Sequence, residues 1–160
     1  FACLVGAWLV LSTPALADDD KDVKPIATAT GNSRDGRLGM FEINRNGVAI
    51  RSAEELVALT TKAKLAKEPA VQKEMEAELA KLLKVESIDW SKQMVIATIA
   101  EKFDSLKTDG KILRANYFPF KEPIALAVPV APKILVLVER VPGEVKFVQL
   151  KQKEKEKDKE

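Results

Sequence analysis

The side chains able to do chemistry in this chain are hydroxyls, lysines and carboxylates. It has no histidine, and its one cysteine, Cys3, lies in an apolar opening stretch. Nucleophilic catalysis would then need Ser or Thr with Lys, or a pair of carboxylates. Ser91 and Lys92 are neighbours, and neighbouring residues of a strand point to opposite faces. Ser105 and Lys107 would share a face, but a lysine-assisted hydroxyl also needs a desolvated amine and an oxyanion hole. Asp89, Glu101, Asp104 and Glu139 are the acids that strand ends can bring together as an acid–base pair. Oxygen-only metal sites gather several Asp in one short, preorganised loop, and no such loop follows the acidic Asp18–Lys21 start. No catalytic residue, metal ligand or cofactor is expected. Four aromatics remain as candidate binding residues: Trp90 beside Asp89, and the cluster Tyr117, Phe118 and Phe120, bounded by Pro119 and Pro123. Exposed on a loop they form a binding patch, and at strand ends they pack a core.

The elements that must position these groups begin with an uncharged segment over residues 1–17, apolar from Ala2 to Leu11. It ends in Ala15-Leu16-Ala17 before Asp18-Asp19-Asp20, the pattern of a secretory signal cleaved after Ala17. A secreted or periplasmic location follows as an expectation. Ala2–Leu11 is about half the ~20 residues a spanning helix needs, and Ile124–Val138 is broken by Pro129, Pro132 and Lys133. No membrane span is expected in the mature chain. Loss of Cys3 with the signal would exclude disulfides. Charged residues make up 31% of the chain with a net charge of +2, a dense but balanced surface without the uncompensated basic patch of a nucleic-acid binder.

Residues 18–37 are small and polar and read as a flexible leader. Residues 38–150 read as one α+β domain, and residues 151–160 as a charged disordered tail with no apolar side chain. Within the domain, Met40–Ile43 and Val48–Ile50 suggest strands joined by Asn46-Gly47, a favoured turn pair. Ser52 with Glu55 forms a capping box for a first helix. Pro69 suits the first position of a second helix, whose Val71, Met75, Leu79 and Leu82-Leu83 recur at helical spacing. Met94–Ala100 is a strand-length apolar run, and Asp109-Gly110 joins Phe103–Lys107 to Lys111–Phe118 as a hairpin, with Leu113, Ala115 and Tyr117 on one face. Ile124–Val128 reads as a further short strand. Ile134–Val138 reads as a central strand, and Pro142-Gly143 as a type II turn into a closing strand, Val145–Leu150. Together these predict a mainly antiparallel sheet of about six strands with two helices on one face.

The strand-rich half resembles the protease complex subunit PrcB C-terminal-like family. The similarity is carried by Ile88-Asp89-Trp90-Ser91-Lys92-Gln93-Met94-Val95-Ile96, by Ile134-Leu135-Val136-Leu137-Val138-Glu139-Arg140, and by Gly143-Glu144-Val145-Lys146-Phe147. It covers residues 86–149, with Ile50–Leu56 resembling the family's strand-to-helix lead. Phe103-Asp104-Ser105-Leu106 stands where that family has a glycine-pair turn. The resemblance implies a small secreted non-catalytic module, in some relatives associated with extracellular proteases, and it brings no catalytic residues. The expected function is a binding or accessory module for another exported protein, reached through a sheet edge or the aromatics near Tyr117. Two other readings stay open at this point: a small secreted hydrolase using carboxylates or a Ser-Lys pair, and an envelope-structural protein with no discrete ligand.

Overall fold

A computed structural model describes residues 20–32, 38–120 and 132–151. Its architecture follows from two runs, Met94–Ile99 and Ile134–Val138, that are apolar on both faces but for Thr98 and therefore need cover on both. They lie in β4 (Gln93–Thr108) and β6 (Pro132–Glu139), which pair antiparallel from Gln93 opposite Glu139 to Ile99 opposite Lys133. β2 (Ala27–Asn32) flanks β6, and β3 (Val48–Ile50) flanks the first half of β4. The second half of β4 pairs with β1 (Lys21–Asp22) and with β5 (Ile112–Pro119), and β7 (Glu144–Gln149) completes that side. Among the described residues the result is a mixed sheet of seven strands, in which only β5 and β7 run parallel.

β4 is long enough to serve both halves because it is irregular in the middle, between Ala100 and Ser105. Such bulges bend a strand and increase its twist. Past the bend, β5 and β7 lay Leu113, Ala115, Tyr117, Val145 and Phe147 over Met94, Ile96, Ile134, Val136 and Val138. The opposite face of β4 and β6 is covered by α1 (Ala53–Ala58) and α2 (Pro69–Leu83), through Leu56, Val57, Met75, Leu79 and Leu83. A helix layer, a half-sheet and a second half-sheet thus enclose two cores back to back.

The local helix signals act as the sequence predicts. The Ser52 hydroxyl accepts from Glu55 N–H at 3.2 Å, and the Glu55 carboxylate accepts in return from Arg51 N–H at 2.6 Å. Pro69 opens α2, whose missing N–H is one the helix start leaves unbonded anyway. Asp109 and Gly110, the latter at φ +87°, turn β4 into β5.

Four expectations are corrected. Residues 20–32 are not a loose leader: they form β1 and β2, with Ala29 buried beneath the helices and Thr28 and Thr30 turned outward. Small alternating residues suit a strand lying close under a helix. Met40–Ile43 is no strand. Leu38–Met40 is a 3-10 turn, Phe41 makes one bridge to Thr60, and β3 pairs with β4 instead. Phe41, at 1% exposure, is drawn into the helix-backed core. The runs Met94–Ala100 and Phe103–Lys107 are one bent strand. Finally, Gly143 is not among the positive-φ residues that a type II turn would require. The chain crosses from β6 to lie parallel to β5, and Gly143 packs so tightly that a Cβ there would meet Lys111 O at 1.4 Å. The expected strand Ile124–Val128, the signal segment and residues 152–160 lie outside the described residues.

Candidate functional site: the β7 edge

The strand order β2-β6-β4-β5-β7 has two ends, β2 and β7, and one side of β7 carries main-chain groups that no described strand pairs. Which groups these are follows from the ladder. Leu150 N–H donates to Tyr117 O at 2.8 Å, and Gln149 lies opposite Tyr117 in the parallel register. Alternate residues of a parallel strand bond the same neighbour, so the even-numbered residues of β7 face β5. The N–H and C=O groups of Val145, Phe147 and Gln149 therefore face outward, and none makes a hydrogen bond to another described residue.

Two hollows adjoin this edge. A shallow groove of about 600 Å³ runs along Glu144–Gln149 and is completed by Asn46 and Tyr117. Beyond its Gln149 end lies a pocket of about 160 Å³, lined by Arg45, Ile99, Tyr117, Pro119, Phe120 and Gln149. The turn before β3 forms the floor. Gly47, at φ +78°, lies against the Phe147 ring, where any Cβ would come within 2.2 Å of it. The Tyr117 hydroxyl donates to Arg45 O in that turn at 3.1 Å, and Arg51, just past β3, donates through Nη2 to Gly143 O just before β7.

The expected cluster of Tyr117, Phe118 and Phe120 is split, and Trp90 lies apart from all three. Tyr117, at 1% exposure, lies between the half-sheets and lines both hollows, and Phe120 lines the smaller one. Phe118 is the next residue along β5 and sits opposite Lys102, on the outer face away from Tyr117. Trp90 belongs to the helix side, where it packs against the core and its indole N–H donates to Glu76 of α2. The edge groups of Val145, Phe147 and Gln149 were not singled out from the sequence. The alternation of Glu144–Gln149 marks a strand, but only the parallel crossover makes it an outermost one.

The two candidate serines are engaged by neighbouring side chains, Ser91 in a turn and Ser105 within β4. Asp89 accepts from the Ser91 hydroxyl and, at 3.0 Å, from Ser91 N–H. Those two bonds, with Lys92 adding attraction, hold its carboxyl below the usual range. Ser91 thus donates to a carboxylate rather than to an amine. The Ser105 hydroxyl donates to Asp104 and accepts from Asn116. Asp109 is likewise held low, by the N–H groups of Ile112 and Lys111 in the hairpin turn. Among the described residues, no three acids gather as a metal-binding group. One buried ammonium stands apart. Lys133, at 8% exposure on the helix-covered face, donates to Phe41 O at 2.6 Å and to Leu38 O at 3.1 Å. Desolvation pulls its pKa below the usual lysine value, with the Glu42 carboxylate opposing.

Comparison with protein-family models, with curated proteins and with solved structures gave no match.

Proposed function

We propose that this chain is an exported, non-catalytic accessory module that takes an extended segment of another exported protein onto the edge of β7. The single observation that carries the reading is the row of outward main-chain groups on Val145, Phe147 and Gln149, beside a groove that runs the length of the strand. Strand addition draws affinity from such groups and specificity from hollows that receive alternate side chains. The pocket walled by Ile99, Tyr117, Pro119 and Phe120 suits an apolar side chain of the incoming segment. Export rests on the charge-free segment ending Ala15-Leu16-Ala17, and the association with an extracellular protease is what the resemblance to the PrcB C-terminal-like family implies. No helix of the described residues is long and apolar enough to cross a membrane.

The test is site-specific cross-linking from Val148, which is 37% exposed on β7, in the host's exported fraction. One protein should be cross-linked through a contiguous extended segment. Gln149→Pro, which removes an edge donor without touching the bonds to β5, should lower the yield at least about tenfold, the size of effect that losing one or two hydrogen bonds produces. Equal yield from a folded Gln149→Pro variant would overturn the proposal. So would substrate turnover by the purified protein that is abolished by changing Ser91, Ser105 or one of the four acids.

A further inference from the structure

We infer that a second copy of this chain covers the β7 edge, pairing Glu144-Val145-Lys146 with the same three residues about a two-fold axis at Val145. The inference goes beyond the proposed function, since it concerns what occupies the edge when no other protein does.

Three observations carry it. First, Val145 is an edge-facing residue, so two copies meeting there exchange two N–H···O=C bonds, the hydrogen-bonded pair of an antiparallel ladder. Second, a two-fold axis normal to the sheet keeps inner faces inner, so residues opposite one another share parity. Centred on Val145, this places Glu144 opposite Lys146 of the second copy and Lys146 opposite Glu144 of the second copy. Centred on Lys146, it would set lysine against lysine, which is destabilising. Centred on Phe147, it would set Lys146 against Val148 and Glu144 against Leu150, leaving both charges uncompensated. Only the first of these registers satisfies both charges. Third, the two side chains are available on the outer face, Glu144 at 67% and Lys146 at 51% exposure, and already lie 4.0 Å apart within one chain. Pairing completes a rectangle of four charges in which every neighbour along or across the strands has the opposite sign.

The antiparallel complement of Glu-x-Lys is Glu-x-Lys itself, so the outer face of β7 calls for its own sequence. A pair of strands this short buries less than the roughly 1,200 Å² at the lower end of stable interfaces. The dimer should therefore be weak and dissociate on dilution, leaving the edge open to a tighter-binding segment. Edges left bare invite uncontrolled pairing, and a reversible self-pairing would blunt that hazard.

Sedimentation equilibrium of the mature protein over a wide concentration range, at low ionic strength, tests this. The wild type should show a monomer–dimer equilibrium that weakens with added salt, because exposed charge pairs are screened. Glu144→Lys and Lys146→Glu, each alone, turn both cross-strand pairs from attractive to repulsive and should weaken the dimer on the order of tenfold or more. The double variant Glu144→Lys with Lys146→Glu restores opposite charges in the same register and should recover it. A wild type that stays monomeric at the highest attainable concentration would overturn the inference. So would single variants that dimerise like wild type, or a double variant no better than the singles. Cross-linking from Val148 to another protein is read separately, so either proposal can fail while the other stands.

Discussion

The two faces of β4 and β6 are covered in different ways, and the contrast separates what holds this protein together from what it offers to others. On one face, α1 and α2 close over Val95, Ala97, Leu135 and Leu137 with a continuous apolar stripe. On the other, the chain covers Met94, Ile96, Val136 and Val138 with a folded-over part of its own sheet, and a sheet that does not close on itself must end in an edge. The helix-backed core is closed over by helix side chains, although β2 beside it is the sheet's other end. The inter-sheet core finishes in main-chain groups on β7, beside a buried tyrosine tied to the turn below. Stability should therefore respond most to changes on the helix side, and association to changes on the β7 side.

Leu79→Ala gives the largest expected break in that contrast. Leu79 is fully buried in α2 between the helices and the sheet. Removing it deletes buried methyl groups and leaves a cavity, at a cost of about 3–5 kcal/mol. Denaturant unfolding should show the midpoint falling at unchanged slope. Any cross-linking at Val148 should persist while the domain stays folded, because no β7 group is touched.

Tyr117→Phe sharpens the contrast from the other side. The ring remains in place between the half-sheets, but the bond from its hydroxyl to Arg45 O is lost. A neutral hydrogen bond of this kind contributes about 1 kcal/mol net. The expected result is a small loss of stability together with faster amide exchange at Asn46 and Gly47, the turn that floors the groove. Unchanged exchange there would show that the turn does not depend on this bond.

The same contrast explains which parts of the structure could be read from the sequence. Ser52 with Glu55, Pro69 and Asp109-Gly110 act within four residues of themselves, so their residue types suffice to mark a cap, a helix start and a hairpin turn. The helix-backed core was legible for the same reason: Met75, Leu79 and Leu83 recur at the helical period whatever they pack against. The inter-sheet core depends on long-range pairing. Nothing local in Ala27–Asn32 marks it as the strand beside β6, since Thr and Ala serve loops as readily. Nothing in Pro142-Gly143 shows that the chain crosses to lie parallel to β5 instead of turning back on β6. That crossover makes β7 outermost, so the candidate site was the least legible part. Tyr117 and Phe120 could be named from residue type, whereas Val145, Phe147 and Gln149 matter for where their main chain faces.

The smallest expected effect comes from the buried lysine beside the helix-backed core. Lys133 donates to the Leu38 and Phe41 carbonyls, and desolvation lowers its pKa from the usual value of 10.5. In the window between that lowered value and 10.5, the folded protein has released a proton that the unfolded chain still holds. Unfolding then takes up a proton, so this group's contribution to stability rises with pH through the window. Below it, both states are protonated and the full penalty of the buried charge remains. Lys133→Met removes the titration and keeps much of the side-chain volume. Denaturant midpoints measured for both proteins from neutral pH upward should converge or cross as pH rises, with the wild type gaining on the variant. Parallel curves would mean that the ammonium is as well solvated in the fold as in the unfolded chain, and that the carbonyls of Leu38 and Phe41 replace water without loss.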